Sequence, residues 1–163
     1  MKKILISACL AGDRVRYDGK PAPLKDVLLA QWTGKGLLVK VCPEVSGGLN
    51  IPRAEAQIVD GNGRDVLKGK AKVLDIQGRD LTSFFIRGAE YALSLAARFG
   101  IEMAILKEKS PSCGVHHIYD GQFVSNLIPG SGVTAAMLKQ NGIKVFSENE
   151  LDKAAKYYKS VFR

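Results

Sequence analysis

Three cysteines, Cys9, Cys42 and Cys113, are the most reactive side chains in the sequence, and each comes after a short apolar run. Ile4-Leu5-Ile6-Ser7-Ala8 leads into Cys9, Leu37–Val41 leads into Cys42, and Met103–Leu106 leads into Lys107-Glu108-Lys109-Ser110-Pro111-Ser112-Cys113-Gly114. Apolar runs of this length, closed by Pro or Gly, read as buried strands. Open α/β sheets bind ligands at the carboxyl ends of their strands, so the placement predicts three thiols at one edge of a sheet. No two of them form a local metal motif. Three readings of these residues stay open. They are small buried apolar side chains, or thiolate ligands of an iron–sulfur cluster with one iron left for substrate. The third is a zinc site completed by His116 or His117, which on a strand would point to opposite faces, so that at most one could join.

Other polar residues stand close to the thiols in sequence. Glu44 lies two positions after Cys42 and could carry a proton. Ser110 and Ser112 flank Pro111, where hydroxyls could orient a substrate or water, or simply serve the turn. Gly47-Gly48, set between Pro43 and Pro52, asks for unusual backbone angles or a close approach to a ligand. Gly130-Ser131-Gly132 opens a helix, where free backbone N–H groups could clamp an anion or a carbonyl. Arg53 could hold an anionic group, or be a solvated charge. The expected substrate contacts are therefore Gly47, Gly48, Arg53, Ser131 and Gly132.

The elements that must position these groups can be read from periodicity and punctuation. Strands are expected over Lys3–Ala8, Leu37–Val41, Met103–Leu106 and Ile143–Phe146. Helices are expected over about Leu24–Thr33, Asp80–Phe99, Val133–Gln140 and Asn149–Val161. In the longest helix Leu81, Phe84, Phe85, Ala89, Ala92, Leu93 and Ala96 recur at helical spacing, Asp80 or Thr82 can cap the start, and Gly100 ends it. Pro43–Arg53 reads as a loop. Ala54–Val59 and Lys70–Asp75 read as strands of a hairpin at the sheet's edge, and Val115–Tyr119 with Gln122–Asn126 as a short hairpin turned at Asp120-Gly121. The fold expected is a single α/β domain over residues 1–163: a three-layer, open, mostly parallel, Rossmann-like sheet with a small β-hairpin excursion.

The totals agree with that class. With 46% apolar and 25% charged residues in 163, the chain has the composition of an ordinary globular domain with a real core. The net charge of +8 favours anionic partners. The Lys and Arg are scattered, however, and no aromatic RNA-binding stripe is present, so nucleic acid is a secondary expectation. Three unpaired cysteines argue against a secreted disulfide framework. The apolar run before Cys9 is shorter than the ~7–15 residues of a signal-peptide core, and no run approaches the ~20 of a membrane span. A cytoplasmic protein with reduced thiols is expected.

Four motifs carry a resemblance: SACLAGDRVRYDG at Ser7–Gly19, VCPEVSGGLNIPR at Val41–Arg53, KEKSPSCG at Lys107–Gly114 and GSGVTAAMLKQNGIKVFSENEL at Gly130–Leu151. Together and in this order the chain resembles the domain-of-unknown-function 523 family, whose best understood branch is the thiouracil desulfidases. The resemblance implies an enzyme that binds a [4Fe-4S] cluster through Cys9, Cys42 and Cys113. It also implies non-redox desulfuration of a small thiolated heterocycle such as 2-thiouracil, with Glu44 as the catalytic acid–base and the catalytic serine at Ser110 or Ser112, Ser110 being favoured. Asn50, where the family often has proline, and the proline-poor Ala54-Glu55-Ala56-Gln57 depart from the pattern in loops expected to border the pocket. The alternative function is a cluster- or metal-binding redox sensor, or an RNA-associated module, without catalysis.

Overall fold

The computed structural model describes residues 1–162. Its centre is a four-stranded, all-parallel sheet of β1 (Ile4–Ser7), β2 (Leu38–Val41), β5 (Met103–Leu106) and β8 (Lys144–Ser147), in the spatial order β2-β1-β5-β8. The chain begins in the middle, steps outward to β2, and later returns on the other side of β1. The crevice beyond the carboxyl ends of β1 and β5 is thus a topological switch point, where sheets of this kind bind ligands. Side chains alternate along the strands. Leu5, Ala104, Leu106 and Val145 face one layer with α4 (Thr82–Phe99) and α5 (Val133–Gln140), while Ile4, Ile6, Met103, Ile105 and Phe146 face the other. That second layer holds α1 (Val27–Gly34) and α6 (Leu151–Val161), with Leu29, Trp32 and Ala154 packed on the sheet. Strands covered on both faces must be apolar at every position, which is why β1 and β5 read as unbroken hydrophobic runs. Each fully buried Ile or Leu among them contributes about 1.5–3 kcal/mol.

The longest helix ends as its sequence predicts, Gly100 taking φ +61°. Phe85, Ala89, Ala92 and Ala96 are buried, whereas Leu81, Phe84 and Leu93 are only half-buried. Of the two expected caps, Asp80 accepts the Thr82 N–H at 2.9 Å from one position before the N-cap, Leu81, whereas the Thr82 hydroxyl accepts the Val73 N–H of β4 at 3.0 Å and does not cap the helix.

Three expectations need correction. Strands β3 (Ala56–Val59) and β4 (Lys72–Asp75) do pair antiparallel, but as a separate two-stranded sheet rather than on the edge of the central one. The helix α3 (Gly63–Leu67) sits between them; its signal was the capping pair Asn62 and Asp65, each side chain bonding the other's backbone. The second hairpin pairs β6 (His117–Tyr119) with β7 (Leu127–Pro129), not with Gln122–Asn126. That stretch is a loop because Asp120 accepts the Gln122 N–H and the Asn126 Nδ2–H, and the buried Gln57 carbonyl accepts the N–H groups of Gly121 and Phe123. Finally, Pro43–Ser46 is not loop but a one-turn helix, α2. Proline at the first helical position and a glutamate in the first turn suit a helix start.

Candidate active site

Each cysteine is placed by the turn, helix or loop at the end of its strand. After β1 the chain enters a 3-10 turn, Ala8–Ala11, that carries Cys9, whose carbonyl accepts the N–H groups of Gly12 and Ala22, both at 3.1 Å. After β2, Cys42 caps α2, which lies against α4 where Gly47 faces the backbone of Phe84 and Gly88 faces the backbone of Pro43. A Cβ at either glycine would collide with backbone. This close packing holds Cys42 and Glu44 over the sheet's end.

The loop after β5 is anchored from two sides. The buried Glu108 turns one carboxylate oxygen inward to accept four backbone N–H groups, from Val115 (2.7 Å), His116 (2.9 Å), His117 (3.1 Å) and Lys109 (3.3 Å). Burial pushes this carboxyl's pKa up, but the N–H groups of His117, His116, Val115 and Lys109 outweigh it, leaving it below the usual glutamate range. From the other side α5 points its amino end at the loop: the N–H of Val133 binds the Pro111 carbonyl and that of Thr134 binds the Ser112 carbonyl, both at 2.8 Å. The amides of Gly130 and Gly132, expected to be free, are likewise taken up by protein carbonyls. Gly130 donates to His116, Gly132 donates to Gly114, and a Cβ on Gly132 would strike the Ser112 backbone.

The three thiols line one cavity of about 210 Å³, together with Glu44, Arg53, Ser110 and Ser112. Desolvation, with Cys42 adding to it, pushes the Cys9 thiol up to about 11. Burial raises Cys42 and, further, Cys113. Between the thiols and the acid runs a line of hydrogen bonds. Ser110 Oγ accepts the N–H groups of Ser112 (3.2 Å) and Cys113 (3.1 Å). With both lone pairs used, its proton goes to Ser112 Oγ at 2.9 Å. Ser112 in turn donates to Glu44 Oε2 at 2.9 Å. The opposite oxygen, Glu44 Oε1, accepts Arg53 Nε at 3.2 Å, both side chains being largely buried at 15% and 8% exposure. Arg53 also donates to the carbonyls of Val15 and Asn50. It lines the cavity, but its donors are turned to protein groups and it serves as the partner of the acid.

Other residues singled out from the sequence stand outside the cavity lining. Gly47 and Gly48 pack against α4, Gly48 over the Phe84 ring. Ser131 donates to the Val115 carbonyl and accepts from Lys139, and Gly132 packs on the Ser112 backbone. His116 pairs with Glu150, and His117 is exposed on β6. Among the described residues no group of three His, Cys, Asp or Glu side chains is spaced to hold a single metal ion. A histidine-completed zinc site is thus not assembled. Two buried thiols and the half-buried Cys42, sharing one cavity without forming a single-ion site, fit a larger group such as a polynuclear cluster. Lining residues that sequence reasoning misses are Val15, Arg16, Tyr17, Lys107, Glu108 and Tyr119. Lys107 and Glu108 stand within a motif already in view; Tyr119 reaches the cavity only through the β6–β7 hairpin and leaves no local signal.

Fold and site together define a three-layer α/β protein with a thiol-lined ligand cavity at its switch point. The chain belongs to the 2-thiouracil desulfurase family, whose model matches residues 4–150, and so to a family of enzymes. It is 44% identical over 149 residues to the uncharacterized protein YbbK of Bacillus subtilis (strain 168), covering 91% of this chain and 97% of that one. It is also similar to the solved structure of the [4Fe-4S]-dependent thiouracil desulfidase TudS (DUF523Vcz), with a TM-score of 0.91 and 40% identity over 99% of this chain and 100% of that one. The family and the parallel α/β fold read from the four motifs are those found. No helix among the described residues is long and apolar enough to cross a membrane.

Proposed function

We propose that this protein removes sulfur from a thiolated nucleobase of the 2-thiouracil kind, and that Cys9, Cys42 and Cys113 hold the [4Fe-4S] cluster it uses. The observation that carries the reading is the convergence of thiols from three strand ends on a cavity that also holds the Glu44–Ser112–Ser110 line. The name and fold of the similar desulfidase support it. When bound, such a cluster supplies a Lewis-acidic iron that polarises a carbon–sulfur bond without net oxidation or reduction. In the overall change a C=S group and water become C=O and hydrogen sulfide, so two protons move and no electrons are exchanged. Glu44 takes a proton from the water that adds at carbon. Ser112 and Ser110 hold that water and pass protons along their hydrogen-bonded row. Arg53 binds Glu44 Oε1 and so leaves Oε2 directed at Ser112. Burial keeps the three free thiols protonated at neutral pH, so taking up the cluster would release their protons.

The test is anaerobic reconstitution with iron and sulfide, and then sulfide release from a panel of thiolated bases. Wild type is expected to be brown and active. Cys42→Ala loses colour and iron. Glu44→Gln keeps both and loses about 10²–10⁴-fold in turnover. A fully iron-loaded wild type that releases no sulfide from any thiolated base would overturn the activity, and unimpaired Glu44→Gln would remove Glu44 from the chemistry.

A further inference from the structure

Tyr17 and Tyr119 line the thiol cavity, and nothing else in the molecule uses their rings. Most of the other large aromatics are committed, and Tyr91 and Phe123 stand outside the cavity. Trp32, Phe146, Tyr157, Tyr158 and Phe162 pack on one another beside the sheet. Phe85 is in the core, and Phe84 and Phe99 lie under Arg87 and Arg98. Neither Tyr17 nor Tyr119 takes part in a hydrophobic cluster, an aromatic pair or a cation–π contact among the described residues. No hydrogen bond of either phenol is present there either.

The two rings reach the cavity from unconnected elements. Tyr17 lies on the loop after the 3-10 turn, held where the Arg53 N–H binds the Tyr17 carbonyl at 2.8 Å. Tyr119 ends β6, opposite Leu127 of β7 and next to the buried Ile118, which points to the other face of the hairpin. Both backbones are fixed; Tyr119 is half-buried and Tyr17 is 38% exposed. Aromatic side chains that present a face to a cavity, with no partner inside the protein, bind flat π-systems in preference to saturated rings.

We infer that Tyr17 and Tyr119 are the specificity-determining contacts for the plane of the substrate ring, gripping a flat, conjugated heterocycle above the thiols. The inference rests on the proposed reading that the substrate is a thiolated base, and it adds which residues recognise it and by what property. The bond-breaking groups, Glu44 and the serines, belong to other elements. Loss of a ring therefore weakens binding more than it slows the chemical step.

The experiment uses the anaerobic, cluster-loaded protein. It measures kcat and KM for 2-thiouracil, and equilibrium binding of uracil and of its non-planar analogue 5,6-dihydrouracil by calorimetry. Tyr17→Leu and Tyr119→Leu keep apolar bulk and lose the π face. Each is expected to raise KM and the uracil Kd about tenfold, to change kcat less than threefold, and to leave dihydrouracil binding nearly as it was. Tyr17→Phe and Tyr119→Phe are expected to restore uracil binding to within about twofold of wild type, since stacking needs the ring and not the hydroxyl. Unchanged KM and Kd in both Leu variants would overturn the inference, as would Phe variants as weak as Leu, or a wild type that binds dihydrouracil as tightly as uracil. Normal turnover with unchanged KM in the Leu variants sinks only the stacking role. A wild type without turnover that still prefers uracil to dihydrouracil sinks only the proposed reaction.

Discussion

Replacing Glu108 should unfasten the loop that carries Ser110, Ser112 and Cys113. Its inward oxygen accepts N–H groups at 2.7, 2.9, 3.1 and 3.3 Å, three of them from the far end of that loop, and the Val115 amide among them is buried. Each hydrogen bond to a charged group is worth about 1.5–3 kcal/mol, and each buried donor left bare costs about 1–3 kcal/mol. The amides of the exposed His116 and His117 can turn to water, so a full sum overstates the loss. Glu108→Ala is therefore expected to cost about 4 kcal/mol, which in a domain of this size lowers Tm by about 8–16 °C. Glu108→Gln keeps an acceptor oxygen and loses its charge, and neutral acceptors are about half as strong, so its cost is about 1–2 kcal/mol. The pH dependence has a definite sign. The folded-state pKa of Glu108 is depressed, so its stabilisation is present above the unfolded glutamate value of about 4.3 and is lost as pH falls through the folded value. Urea unfolding of wild type and Glu108→Gln at pH 7 and at about pH 3.5 should show a gap at neutral pH that narrows in acid. Equal stability at pH 7, or a gap of the same size at both pH values, would refute the reasoning.

Four further outcomes are expected. Arg53→Met leaves Glu44 largely buried without its cation, which should cost about 3 kcal/mol of stability and lower kcat by at least tenfold. Arg53→Lys should recover only part of both, because ammonium cannot reproduce the bonds to Glu44, Val15 and Asn50 together; denaturation and turnover assays read the two effects. Gly88→Ala pushes a methyl into the Pro43 backbone. It should destabilise by about 3 kcal/mol or more, with a fall in cluster content, visible as lost absorbance per protein, that Ala89→Ser does not share. In cluster-free protein at pH 7.5 Cys9, with its pKa near 11, should react with iodoacetamide on the order of a hundredfold more slowly than a free cysteine, as peptide mass spectrometry would show. Thr134 Oγ1 is buried without a hydrogen-bond partner among the described residues. Thr134→Val should therefore be neutral or stabilising by up to about 1 kcal/mol, measured by thermal melts.

The elements of the central sheet were legible because burial on both faces forces apolar runs, continuous in β1 up to Ser7 and in β5, and broken by the exposed Lys40 in β2 and Lys144 at the start of β8. The placement of three cysteines just past three such runs was likewise a local fact. The short segments outside the sheet were less legible. A one-turn helix such as α2 has too few residues for a periodic signal, and α3 announces itself only through the pair Asn62 and Asp65. The partner of β6 is hidden because Asp120-Gly121 looks like a tight turn, whereas the side chains of Asp120 and Gln57 tie the next residues into a longer loop.

The amino-acid order by itself determined the family, the strands of the central sheet and which residues carry thiol, carboxyl and hydroxyl groups, since these depend on composition and near-neighbour pattern. Only the tertiary structure decided how the groups are employed. Arg53 turned out to hold Glu44, and the first amides of α5 hold the Ser112 loop. Gly47 seats α2 on α4, and Tyr119 arrives at the cavity from a hairpin outside the sheet. The physical reason is that hydrogen bonds and contacts across tens of residues are selected by the shape of the packed whole. A donor, an acceptor or a missing Cβ looks the same in the sequence whatever it comes to face.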